Sequence, residues 1–123
     1  MNILPVVPML KASPEVTALL GTSPLKVWED IAPSGTAYPY AVWSVVTANP
    51  ENHLDCPANL DHVSFQIVVY DTQQKRASEI REAIRKALEP HCYVTNIHPN
   101  HFERIADTNI FGRGFDANWF LDR

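Results

Sequence analysis

The chain has 123 residues, a formal net charge of -4, 46% hydrophobic and 20% charged residues, and two cysteines, Cys56 and Cys92. That length suits one domain with its own core, without metal or disulfide, and the acidic balance excludes a generic DNA or RNA binder, which would present a basic surface. The apolar run from Met1 to Leu10 is broken by Pro5 and Pro8 and meets its first lysine only at Lys11, so it reads as neither signal peptide nor membrane span, and both thiols are expected free in a reducing cytoplasm.

In chain order, two short helical pieces come first. Val6, Val7, Met9 and Leu10 crowd one side of the first. The second opens at Ser13 with Pro14 in the first turn, where a missing N–H costs nothing, and stops at Gly21. Leu25 to Glu29 is predicted as a short strand, and Ala32 to Ala37, with Pro33 and Gly35, as a turn-rich connector. Two strong strands follow, Tyr40 to Thr47 and Val63 to Tyr70. In the second, Val63, Phe65, Ile67 and Val69 share the face expected to meet the core, while Ser64, Gln66, Val68 and Tyr70 lie opposite. Between them, Ala48 to Asp61 is too long and polar for a tight turn and is the stretch where a binding role is expected.

A helix is predicted from Thr72 to Glu89, capped by Asp71 or Thr72 with Gln74 at capping-box spacing and ended by Pro90. Ala77, Ile80, Ala83, Ile84, Ala87 and Leu88 form its apolar stripe. Three further strands are expected at Cys92 to Ile97, Phe102 to Asp107 and Phe111 to Leu121. The implied class is α+β: a mostly antiparallel, mixed sheet packed against one long helix plus the short N-terminal helices, in a single domain over 1–123.

Candidate chemistry is thin. His53-x-x-Cys56 and His98-x-x-His101 have metal-like spacing, yet zinc needs four converging ligands and nothing brings the pairs together, so turn histidines are the simpler reading. Cys92 sits beside His91, but neighbours on a strand face opposite ways, which makes Cys92 a small core residue. Gly112-Arg113-Gly114 lacks the third glycine and following helix of a phosphate cradle. Asp55, Asp61 and Asp107 show no sign of converging. No catalytic residue, metal or cofactor is expected. Lys75, Arg76, Arg81, Arg85 and Lys86 cluster on the helix, interleaved with Glu79, Glu82 and Glu89, as a solvated face or the rim of a subunit contact. Tyr38, Tyr40, Trp43, Trp119 and Phe120 exceed what one sheet face hides. Either helices cover both faces or part of this surface meets another subunit.

The order of these features resembles the tail-completion, or tail terminator (head-to-tail joining), proteins of long-tailed bacteriophages. The resemblance runs through Val16-Thr17-Ala18-Leu19-Leu20-Gly21, Val27-Trp28, Tyr38-Pro39-Tyr40-Ala41-Val42-Trp43, the passage from Phe65 to Asp71 into the helix, Arg76 to Leu88, and Phe115-Asp116-Ala117-Asn118-Trp119. It spans nearly the whole chain, with a departure in the His-rich stretch Ile97 to Phe102. It implies a virion protein that forms a homo-oligomeric, commonly six-fold ring on the head-proximal end of a tail tube. Such a ring ends tube growth and docks the head-tail connector, and it is assembled in the host cytoplasm with no membrane involved. The expected interface residues are Asn49, Glu51, Asn52, Asp55, Asp61, Arg81, Arg85, Lys86, Trp119 and Phe120. Glu51, Asp55 and Asp61 would give a negative lumen wall past which genomic DNA slides without specific binding. Another neck adaptor, such as a head-completion protein, or a small-molecule-binding domain or enzyme, remains the alternative.

Overall fold

A computed structural model describes residues 4–21, 25–50 and 60–122, with the backbone alone at 48–50, 60–62 and 120–122. Its elements are α1 (Val6–Lys11), α2 (Pro14–Leu20), β1 (Val27–Glu29), β2 (Tyr40–Pro50), β3 (Leu60–Asp71), α3 (Gln74–Leu88), β4 (Tyr93–Ile97), β5 (His101–Ile105) and β6 (Thr108–Asp122). The strands make one mixed six-stranded sheet in the order β1-β2-β3-β6-β4, with β5 also on β6. Only the β1–β2 pairing is parallel.

Local sequence explains most elements. Ser13 is the N-cap of α2, its Oγ accepting from the Val16 N–H at 3.4 Å, and Gly21 ends that helix at φ 88°, a left-handed conformation that glycine adopts without a Cβ clash. On β3 the alternation holds: Val63, Phe65, Ile67 and Val69 are all buried. Opposite them, β6 contributes Phe115, Ala117 and Trp119, and β2 contributes Ala41 and Trp43. Ile80, Ile84 and Leu88 of α3, with Val6, Leu10, Val16 and Leu20 from the short helices, close over this one face. Burying each large side chain contributes roughly 1.5–3 kcal/mol, so this single layer of contact is what holds helices to sheet. Among the described residues the second face carries no helix, so of the two alternatives the one with helices over both faces is not seen there.

Several boundaries differ from the sequence reading. The segment Ala48 to Asp61 is not all loop: β2 runs on to Pro50 and β3 starts at Leu60, with Ala48, Asn49 and Pro50 paired to Val63, His62 and Asp61. The helix begins at Gln74, after an N-cap Gln73 that makes no side-chain capping bond. Asp71 is fully buried and binds elsewhere: its Oδ1 accepts from the N–H groups of Thr72 (2.7 Å) and Gln73 (3.2 Å) and from Arg76 Nη2 (2.6 Å), and its Oδ2 from Arg76 Nε (2.6 Å). A nearby cation outcompetes the capping role that spacing suggested.

β4 and β5 lie end to end along the β6 edge left open by β3. Ile97 pairs with Phe115 and His101 with Gly112, so the three residues 98–100 oppose only two on β6. That surplus is a bulge, and it is where β4 stops and β5 starts. The β5–β6 turn is Ala106–Asp107, both at positive φ (49° and 67°). Positive φ at both central residues is the turn geometry that matches the twist of a hairpin. Asp107 is therefore turn rather than strand, and β6 begins at Thr108.

Candidate functional site

The face without helices is a shallow, mixed surface. Ser64 Oγ donates to Asn118 Oδ1 at 2.7 Å, and Gln66 Nε2 to Ser44 Oγ at 3.5 Å, giving its middle a polar cross-strand lattice. Toward the end where β2 begins and β3 finishes, it turns aromatic. Tyr38 stacks on Tyr40 at 5.3 Å, Tyr40 meets Tyr70 at 5.6 Å across the β2–β3 pair, and Trp28 approaches Tyr40 edge-on at 6.3 Å. The three tyrosine rings line one side of a groove of about 520 Å³ whose other side is the connector from Asp30 to Thr36. Burial raises the hydroxyl pKa of both Tyr40 and Tyr70, with the neighbouring tyrosines and Glu103 adding to it, so these rings act as neutral donors and apolar plates.

The His-rich stretch sits on the same face. His98 Nε2 lies 2.7 Å from Asp116 Oδ1, and the backbone N–H of His98 donates to the Gly114 carbonyl at 3.0 Å. A Cβ on Gly114 would come within 2.6 Å of the Ile67 carbonyl and 2.7 Å of His98 Nδ1, so only glycine admits this packing. His101 packs likewise over Gly112. The backbone of the bulge is tied by Arg113, a buried residue whose Nη1 donates to the carbonyls of His101 (3.2 Å) and Gly112 (2.9 Å). His98 and His101 thus serve β6 packing, and among the described residues no group of three or more His, Cys, Asp or Glu could hold a metal ion. His53 and Cys56 lie outside the described residues.

Past this bulge, β5 and the start of β6 form a two-stranded arm: Phe102 stands at its base, level with the end of β3 opposite Phe111, and residues 103–105 and 108–110 extend beyond that point. Every residue of β5 is exposed, and Phe102 and Ile105 each keep 52% of their surface. The arm and the tyrosine groove are the two surface features that the sequence reading missed. A hairpin signal was hidden because the turn is Ala-Asp rather than Asn-Gly. The groove needs residues far apart in the chain.

The sequence-proposed interface residues fall into separate places. Arg85 and Lys86 are on the outer face of α3, where Arg85 pairs with Glu89 (2.6 Å) and Glu82 (3.7 Å), and Lys86 reaches Glu15 of α2 at 3.1 Å. Arg81 is half-buried, its Nε 3.8 Å from a Glu82 carboxylate oxygen but without a hydrogen bond. These exposed pairs are each worth at most about 1 kcal/mol, so they leave the face polar without fixing it. The backbones of Asn49, Asp61 and Phe120 meet at the opposite end of the sheet from the arm, where Asn49 pairs with His62 and His62 with Phe120. Glu51, Asn52 and Asp55 lie outside the described residues. Trp119, expected at the surface, is only 6% exposed, with Phe65 at 6.2 Å and the His91 ring stacked at 6.2 Å. It falls on the helix-covered face with Phe115 and Ala117, and that register buries it.

Cys92 is a buried free thiol, pushed up to about 11 by burial and then by Glu89. At about pH 8 its alkylation by iodoacetamide, followed residue by residue by mass spectrometry, is expected to run about 100-fold slower than for an ordinary cysteine, since the thiolate is the reactive form. The fold favours the protonated thiol, so this group's contribution to stability is lost as pH rises from about 9, where the unfolded chain ionises, toward about 11. Rapid labelling of native Cys92 would contradict its placement.

Residues 5–111 match the family model described as tail completion protein gp17. No curated protein sequence matches the chain. Among solved structures, a chain from the virion of a native gene transfer agent particle is similar in fold, with a TM-score of 0.56 and 18% identity over 94% of this chain and 92% of that one. Matched over most of its length, the chain belongs to the tail completion protein gp17 family.

Proposed function

We propose that this chain, acting as one tail-terminator-like domain, is a structural protein of a phage-like virion that caps the head-proximal end of a tail tube as a closed ring. In this role it ends tube polymerisation and joins the tail to the head-tail connector, after assembly in the host cytoplasm. The family match over residues 5–111 carries the reading. The one-sided sheet supports it, because a surface left without helices, flanked by an exposed arm, suits contact with further subunits. Capping needs two unlike ring faces: one that complements the last ring of the tube and one that does not repeat it. Heterologous contacts that close by rotation meet that need, and six copies is the expected number.

The test is omission from an assembling particle. Without this chain, tails should vary widely in length and stay unjoined to filled heads, and supplying it in trans should restore uniform, joined tails. Normal tail length with defective heads would instead place the chain at another position in the neck.

A further inference from the structure

We propose that the β5–β6 arm of one copy docks in the tyrosine groove of the next copy, with Phe102 as the anchor and Arg104 facing Asp30. This rests on the ring reading above and supplies the contact that would build it. Phe102 and Arg104 alternate onto one face of the arm, and the Arg104 guanidinium lies 6.0 Å over the Phe102 ring. That face therefore presents an apolar knob beside a positive charge. Arg104 bonds only the Asn109 side chain, at 3.0 Å, and no carboxylate of the described residues pairs with it.

The groove is the complement. Tyr38, Tyr40 and Tyr70 offer ring faces, and Ile31, 78% exposed, stands on the opposite rim. At about 520 Å³ it has room for a phenylalanine ring and a neighbouring side chain. Asp30 lines it with a carboxylate that has no cationic partner among the described residues. An aromatic anchor in a pocket of aromatic rings, bordered by one opposite-charge pair, is the usual make-up of an energetic centre in a protein interface.

Position selects a second copy as the occupant. Both features sit at one end of the sheet: Tyr40 opposes Tyr70, Tyr70 opposes Gly112, and Gly112 opposes His101 at the base of the arm. Across the sheet they are on opposite sides, the groove by β1 and β2, the arm by β5 and β6. An arm reaching sideways meets a neighbour's groove at its own height. Repeated head to tail, that step builds a ring when its rotation closes, as the proposed function requires.

The experiment uses two variants of the whole chain, Phe102→Asp in the arm and Ile31→Arg in the groove, with circular dichroism to verify folding and light scattering to read mass. Each alone should assemble only at concentrations at least about tenfold above wild type. Mixed one to one, they should form pairs and nothing larger, because the intact arm of one fits the intact groove of the other and no further contact is left. Both variants assembling like wild type, or a mixture that stays at protomer mass while wild type makes rings, would overturn the inference and leave the ring reading intact. A wild-type chain that stays a protomer even with tube present would overturn both. A chain carrying Phe102→Cys and Ile31→Cys supplies a readout independent of disruption. Oxidation should give a ladder of cross-linked copies, absent from either single variant, and an assembled ring without that ladder contradicts the docking.

Discussion

Gly114→Ala is expected to destabilise the fold by about 3 kcal/mol in urea denaturation, at the upper end for overpacking. The added Cβ meets the Ile67 carbonyl at 2.6 Å and His98 Nδ1 at 2.7 Å. The first is backbone held in the β3–β6 ladder, and the second is held by Asp116, so neither yields cheaply. Gly112→Ala is the internal control. The atoms nearest its Cβ belong to the His101 side chain, at 3.3 Å, which requires a shift of a few tenths of an ångström, and the lost glycine flexibility offsets part of the strain. Similar costs for the two variants would refute the packing described for the bulge.

Asp71→Ala is expected to cost about 3 kcal/mol, read in the same way. The carboxylate is fully buried and accepts four hydrogen bonds, two from backbone N–H groups at the start of α3 and two from Arg76. Removing it strands the half-buried Thr72 and Arg76 donors, and a donor left unpaired costs about 1–3 kcal/mol, while the exposed Gln73 N–H turns to water. Arg76 moderates the loss, since its side chain is 32% exposed and water can reach it. The carboxylate in turn holds the Arg76 guanidinium proton more tightly than usual, through the hydrogen bond first. Asp71→Asn keeps one acceptor for the N–H groups and should fall between wild type and Asp71→Ala. Equal stability of Asp71→Ala and wild type would mean the pair contributes nothing.

The parts of the fold set by local pattern were legible in the sequence. The Ser13–Pro14 start of α2, the alternation of β3 and the apolar stripe of α3 depend on neighbours within a few residues. Where a competing side chain or a long-range partner decides, pattern misled. Asp71 has capping spacing, but a buried salt bridge claims it. The cationic face of α3 is plain from composition, yet Lys86 is tied to Glu15, 71 positions away. Trp119 shares its face with Phe115, and only the β3–β6 register shows that this face is under the helices. The arm escaped notice because Ala106 and Asp107 carry positive φ without the glycine that usually signals it. The tyrosine groove is assembled from three segments, and no local window contains it.

The central claim, that the chain forms a ring on the end of a tail tube, is tested most directly by light scattering and negative-stain imaging of the protein alone and mixed with its cognate tail-tube protein. The account predicts rings near six times the 13.9 kDa protomer mass, and tubes closed at one end that no longer lengthen. A protomer that never binds tubes, and tubes that grow unchanged in its presence, would contradict it.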